Sequence, residues 1–221
     1  MNSETIRAAL EEVADFGSFF ALRMSGDPTG WHDVRLDYER GFTDLVDSTA
    51  ERYGTTEKRI GASIAQLSHA ARLWSPVIGT VLTHGVVPDL TRLDRADDGP
   101  GLRLPTVSGW PYESPRQLYD LVMHGHLEPF TAGLKIKIAP RLLAGNAASA
   151  VAEAGRAVVA ARPELADAAT DLVDGLLAEG DLAGKGKIIS PDLAFHRTTC
   201  CLYYRVPHGS KCGDCALLNS P

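Results

Sequence analysis

Apolar residues near the N-terminus recur at helical spacing. Ile6, Ala9, Leu10, Val13, Gly17 and Phe20 predict an amphipathic helix over residues 4–20. A loop is expected where Gly26, Asp27, Pro28 and Gly30 cluster before Trp31. A second helix is predicted over residues 37–53. A longer one, capped by Thr55 or Thr56, buries Ile60, Ile64, Leu67, Ala71 and Trp74. Pro76 is expected to break or kink that helix, which resumes to about Thr83 before Gly85.

The texture then changes. Residues 90–104 alternate apolar and polar positions on either side of Asp97-Asp98-Gly99-Pro100-Gly101, a hairpin pattern. Ser114-Pro115 caps and opens a helix buried through Leu118, Leu121 and Val122, with a bend expected near Pro129. From Pro140 a helix rich in small residues places Leu143, Ala147, Val151, Ala154 and Val158 on one face. Pro163 opens another, which buries Ala169, Leu172, Val173 and Leu176, points Asp167, Asp171 and Asp174 at solvent, and ends near Gly180. These elements predict an α+β fold: one predominantly α-helical domain over residues 1–221, with a small antiparallel β element and a cysteine-rich segment over 196–221.

Composition narrows the function. With 44% hydrophobic and 23% charged residues in 221, a sizeable core is available and wholesale disorder is excluded. A formal charge of −6 argues against a general nucleic-acid or anionic-membrane surface. The first residues carry no basic n-region, and charges interrupt every long apolar run, so neither a secretory signal nor a transmembrane segment is expected. The expected location is cytoplasmic, with peripheral contact at the inner membrane face left open.

The four cysteines carry the chemistry. All lie at or beyond position 200, in the pattern C-C-x10-C-x2-C formed by Cys200, Cys201, Cys212 and Cys215. Reduced, clustered thiols in a cytoplasmic chain point to a metal. Cys212 and Cys215 form a chelating turn in which Gly213 tolerates a tight backbone. Adjacent cysteines on extended chain point to opposite faces, so Cys200 and Cys201 suit one tetrahedral ion poorly and a dinuclear [2Fe–2S] cluster better. A four-thiolate zinc site remains an alternative. So do free or disulfide-bonded cysteines, although a Cys200–Cys201 disulfide would be strained.

This ending closely resembles that of the FhuF-type ferric siderophore reductases. Ala70-Ala71-Arg72-Leu73-Trp74-Ser75-Pro76-Val77, His126-Leu127-Glu128-Pro129 and Gly145-Asn146-Ala147-Ala148-Ser149 resemble further family blocks. Ala144 stands where the family pattern places Trp. The resemblance implies a [2Fe–2S] cluster on the four cysteines and one-electron reduction of siderophore-bound Fe(III) to Fe(II), which releases iron. No catalytic residue beyond the cluster ligands is implied. No G-x-G-x-x-G follows a predicted strand and Gly184-Lys185-Gly186-Lys187 is not a P-loop, so a separate electron donor such as a ferredoxin is expected. The net negative charge favours neutral or cationic hydroxamate complexes as substrate. The alternative is a non-catalytic siderophore-binding or sensing module with a structural four-cysteine metal site.

Arg197, Arg205 and Lys211 surround the cysteines against one acid, Asp214, and are candidates for contact with substrate or donor. The histidines, including His124-x-His126, lack ligand spacing and are expected to be hydrogen-bonded or exposed. Asn146 is a candidate either for orienting something at the site or for packing with a buried amide bond.

Overall fold

Helix α4 (Lys58–His84) is the axis of the fold. Its buried positions Ile60, Leu73, Trp74, Val77 and Ile78 are almost fully shielded from solvent, and it packs along α7 (Pro140–Ala161), with α3 (Thr43–Arg52) and α1 (Ser3–Ala14) alongside. The small side chains of α7, among them Ala147, Ala148, Val151 and Ala154, permit that approach. The computed structural model describes residues 2–218, so the predicted 196–221 segment is described as far as Leu218. Helix α8 (Ala166–Leu177) covers α7 through Ala169, Leu172, Val173 and Leu176, with its three aspartates exposed as the pattern predicts. Pro163 opens a short 3₁₀ turn ahead of it.

Among the described residues, three small sheets complete the structure. The first has the strand order β1 (Arg23–Met24), β5 (Leu102–Leu104), β4 (Asp94–Ala96), β2 (Trp31–Asp33). Strands β4 and β5 form the predicted hairpin, with Asp94 opposite Arg103, whereas β1 joins β5 in parallel. The second pairs β3 (Val86–Pro88) with β6 (Gly109–Pro111), and the third pairs β7 (Gly186–Ile188) with β8 (Phe195–Arg197). Buried Arg95 ties the first sheet to the helices, donating to Asp37 on α2 (Val34–Arg40) at 2.7 and 3.0 Å and to Asp44 at 2.7 Å.

Four expectations are corrected. The first helix ends at Ala14. Gly17, at φ +147°, turns the chain so that Phe20 reaches the core from a loop. Residues 37–53 are two helices, because Gly41 and Phe42 are both left-handed and end α2 before α3 begins. Pro76 does not interrupt α4: the lost backbone bond, a cost of about 3 kcal/mol, is outweighed by burial of Trp74, Ser75, Pro76, Val77 and Ile78 together. Helix α4 begins after Glu57 with no side-chain cap, so neither Thr55 nor Thr56 caps it. Ahead of Pro129 the chain forms a π-helical segment, Asp120–Leu127, between α5 (Pro115–Tyr119) and α6 (Glu128–Gly133). Among the described residues, no helix is long and apolar enough to cross a membrane.

Candidate metal centre

The cysteine segment is held against α4 and α7 by buried polar contacts. Strand β8 delivers Arg197, 1% exposed, into the interior. Its Nε donates to Asp214 Oδ2 at 2.7 Å and its NH1 to Asn146 Oδ1 at 2.9 Å. Asn146 in turn donates from Nδ2 to the Ser63 carbonyl at 3.0 Å and to Ser63 Oγ at 3.2 Å. The Ser63 hydroxyl donates to the Cys201 carbonyl at 2.7 Å. Ser149 Oγ donates to Asp214 Oδ2 at 2.5 Å, and the Arg197 backbone N–H reaches the Asp214 carbonyl at 3.0 Å. A continuous path therefore links the backbone of Cys201, through two helices, to the loop between Cys212 and Cys215.

Small residues allow this docking. A Cβ on Gly145 would lie 2.0 Å from Thr199 Oγ1, so the chain next to Cys200 fits only over a bare helix position. Gly209 plays the same part inside the segment, where a Cβ would meet the Tyr203 carbonyl at 2.3 Å. Leu202, left-handed at φ +70°, turns the chain after Cys201 into a 3₁₀ turn, Tyr203–Arg205. The Cys215 N–H donates to the Cys212 carbonyl at 3.1 Å and closes the second turn.

All four cysteines are free thiols. Cys201 Sγ and Cys212 Sγ lie 3.7 Å apart, close to the separation of about 3.8 Å expected for two thiolates on one tetrahedral ion with bonds of about 2.3 Å. Cys200 is half-buried, and Cys215 and Cys201 are both close enough for their charges to act on it. Cys212, which the sequence joins to Cys215 in one turn, thus has Cys201 as its near neighbour. Among the described residues no three of His, Cys, Asp and Glu converge on one point. One close thiol pair with two further thiols nearby suits a dinuclear cluster better than a single tetrahedral zinc, and the four-thiol donor set fits a [2Fe–2S] group.

The electrostatics favour thiolate at one position. The hydrogen bond with Cys212 brings the Cys201 thiol down to about 6 against the burial that would raise it, and the Arg197 charge adds to the effect. Burial pushes Cys200 up to about 11. The same hydrogen bond, together with burial, raises Cys212. Backbone N–H groups of Leu202 and Leu217 point at Cys200 Sγ and Cys215 Sγ, at 3.3 and 3.5 Å. Such donors stabilise negative sulfur.

The site borders a cavity of about 1110 Å³ between the Phe16–Phe20 loop, α3, α4, α7 and the cysteine segment, with Cys201 and Cys212 in its wall. Of the three basic candidates, Arg197 lines that cavity but spends its hydrogen bonds on Asp214 and Asn146. Arg205 pairs with Glu57 at 2.8 Å, and exposed Lys211 donates to the Leu217 carbonyl. The histidines are placed as expected. His69 and His126 are buried against Tyr38 Oη at 3.2 and 2.7 Å, His124 is exposed, and His32 sits between Asp37 and Asp97. Ser63 and the cavity residues of α3 carry no local sequence signal, because their partners are distant in the chain.

Comparison with known proteins agrees with this geometry. The family model described as the FhuF 2Fe-2S C-terminal domain matches residues 197–217, which contain all four cysteines. The chain thus carries an FhuF-type C-terminal segment, and the match points to a [2Fe–2S] cluster. No curated protein and no solved structure matches the chain.

Proposed function

We propose that this protein is a ferric-siderophore reductase, with Cys200, Cys201, Cys212 and Cys215 as the ligands of a [2Fe–2S] cluster and the adjoining cavity as the place of the ferric chelate. The observation that supports it is the position of Cys201 and Cys212 in the wall of a cavity large enough for a chelated metal. When bound, the cluster supplies a one-electron centre at that wall. The net reaction is Fe(III) chelate plus one electron to Fe(II) chelate, the electron coming from a separate protein donor such as a ferredoxin. Fe(II) is held less tightly than Fe(III) by hard oxygen donors, so it leaves to the cytoplasm.

The chain's own residues hold and orient. Arg197 and Asp214 neutralise each other beneath the cysteines, and Ser63 and Asn146 fix the Cys201 backbone. No proton needs to move, so no general acid or base is required. The test is anaerobic: dithionite-reduced protein, freed of excess reductant, is mixed with a ferric siderophore in the presence of an Fe(II)-specific chromophore. Up to one Fe(II) per cluster should appear, with matching loss of the reduced-cluster signal. A cluster-loaded protein that yields no Fe(II) from hydroxamate or catecholate complexes would overturn the proposal.

A further inference from the structure

The protein as a whole is acidic, but the cavity beside Cys201 is not. Four arginines and three acids line it. Arg197 is spent on Asp214 at 2.7 Å, and Arg156 lies 3.8 Å from Glu153. Arg52 and Arg72 are different. Among the described residues neither has a carboxylate partner within ion-pair distance. Arg72 donates to the Ser68 carbonyl at 3.0 Å and lies 4.9 Å above the Phe19 ring, and Arg52 lies over Tyr53. Tyr53 meets Tyr203, just beyond Cys201, edge to face at 5.6 Å. Burial, with the nearby charge of Arg52, lowers the pKa of Arg72. Burial also raises the pKa of the Glu153 carboxyl. Guanidinium groups stacked on rings and lacking a counter-ion form a wall suited to anionic oxygens and flat aromatic groups.

We infer that the cavity selects an anionic ferric chelate with aromatic arms, a catecholate- or phenolate-type complex, through Arg52 and Arg72. This rests on the cavity being the substrate site, and it sets the local charge of the cavity above the net charge of the chain. A ligand of this kind would place its arms on the Phe19 and Tyr53 side and its charged metal centre between the arginines and the cysteines.

Ga(III) complexes separate binding from reduction, because Ga(III) accepts no electron under these conditions. Equilibrium dialysis of the cluster-loaded protein would compare a trianionic Ga(III) tris-catecholate with the monocationic Ga(III) complex of desferrioxamine B. The trianion is expected to bind at least about tenfold more tightly. Arg52→Gln and Arg72→Gln should each cost about tenfold for the trianion and little for the cation, and Arg72→Lys should recover part of the loss. Binding of the trianion by the unaltered protein should also weaken with added salt. Equal or tighter binding of the cation, or a salt-independent preference, would overturn the inference, and both are read on unaltered protein whatever the variants do. Charge-selective Ga(III) binding without Fe(III) reduction would leave the inference standing and sink the reductase proposal. Reduction without charge selection would do the reverse.

Discussion

Replacing Arg197 with Met tests whether the buried ion pair holds the cysteine segment in place. Met keeps much of the aliphatic length and removes the guanidinium. Asp214, 8% exposed, then loses its 2.7 Å partner and keeps only the Ser149 hydroxyl and a sulfur neighbour. Breaking one side of a buried pair costs about 3–5 kcal/mol. At about 2–4 °C per kcal/mol for a chain of this size, the melting temperature of the loaded protein should fall by roughly 10 °C. The pH dependence carries a second signature. In the native protein burial pushes Asp214 up, but the Arg197 charge and the Ser149 hydrogen bond more than offset it, so its pKa is lowered. The contribution of Asp214 is therefore complete above the unfolded carboxylate pKa and is lost as pH falls through the lower native value. Without Arg197, burial dominates and the native pKa rises above the unfolded one. The variant should then lose stability as pH climbs from about 4 toward neutrality. Urea unfolding followed by far-ultraviolet circular dichroism, run at several pH values, measures both effects. Adding Asp214→Asn to the Met variant should recover a good part of the loss, because no buried charge is then stranded. A cost below about 1 kcal/mol, or no recovery in the double variant, would refute this role for the pair.

Three further outcomes follow. Cys212→Ser and Cys215→Ser should each abolish the visible cluster absorption while helical circular dichroism is largely retained, because the core of α1, α4, α7 and α8 lies upstream; wholesale unfolding would make the metal a structural staple. Gly145→Ala should cost about 1–3 kcal/mol by driving a methyl into Thr199 Oγ1, and Gly145→Ala with Thr199→Ala should restore most of it, since Thr199 Cβ would stand 3.4 Å away. Burial lowers His126 to about 4 and lowers His69 as well. Both are thus neutral in the folded chain, so stability should be full above about pH 6.5 and fall as pH drops toward 4, at up to about 1.4 kcal/mol per unit for each group. Urea midpoints between pH 7 and 5 that do not move would contradict this.

Most of the helical architecture is legible from local periodicity. The caps at Ser114 and the hairpin around Gly99 are equally local, as is the thiol chemistry of the last residues. What escaped local reasoning depends on contacts between distant positions. Pro76 reads as a breaker, and only the packing of α7 against α4 shows why the helix continues. Gly41 carries a stop signal, but the left-handed Phe42 that completes the break does not. The partners of Arg197 at 146 and 214 come from a helix and a loop that no spacing rule joins. For the same reason Cys212 looks like the partner of Cys215, whereas the fold sets it beside Cys201. Arg52 and Arg72 belong to different helices, and the missing counter-ions are visible only in three dimensions.

The most direct test of the metal centre is a visible spectrum of anaerobically purified protein, taken with its iron, acid-labile sulfide and zinc content. Four cysteine ligands in the C-terminal segment predict a reddish-brown protein with two iron and two sulfide per chain, bleached by dithionite. A colourless protein with one zinc per chain, and no iron–sulfur cluster after reconstitution, would contradict the assignment and leave a structural metal site in its place.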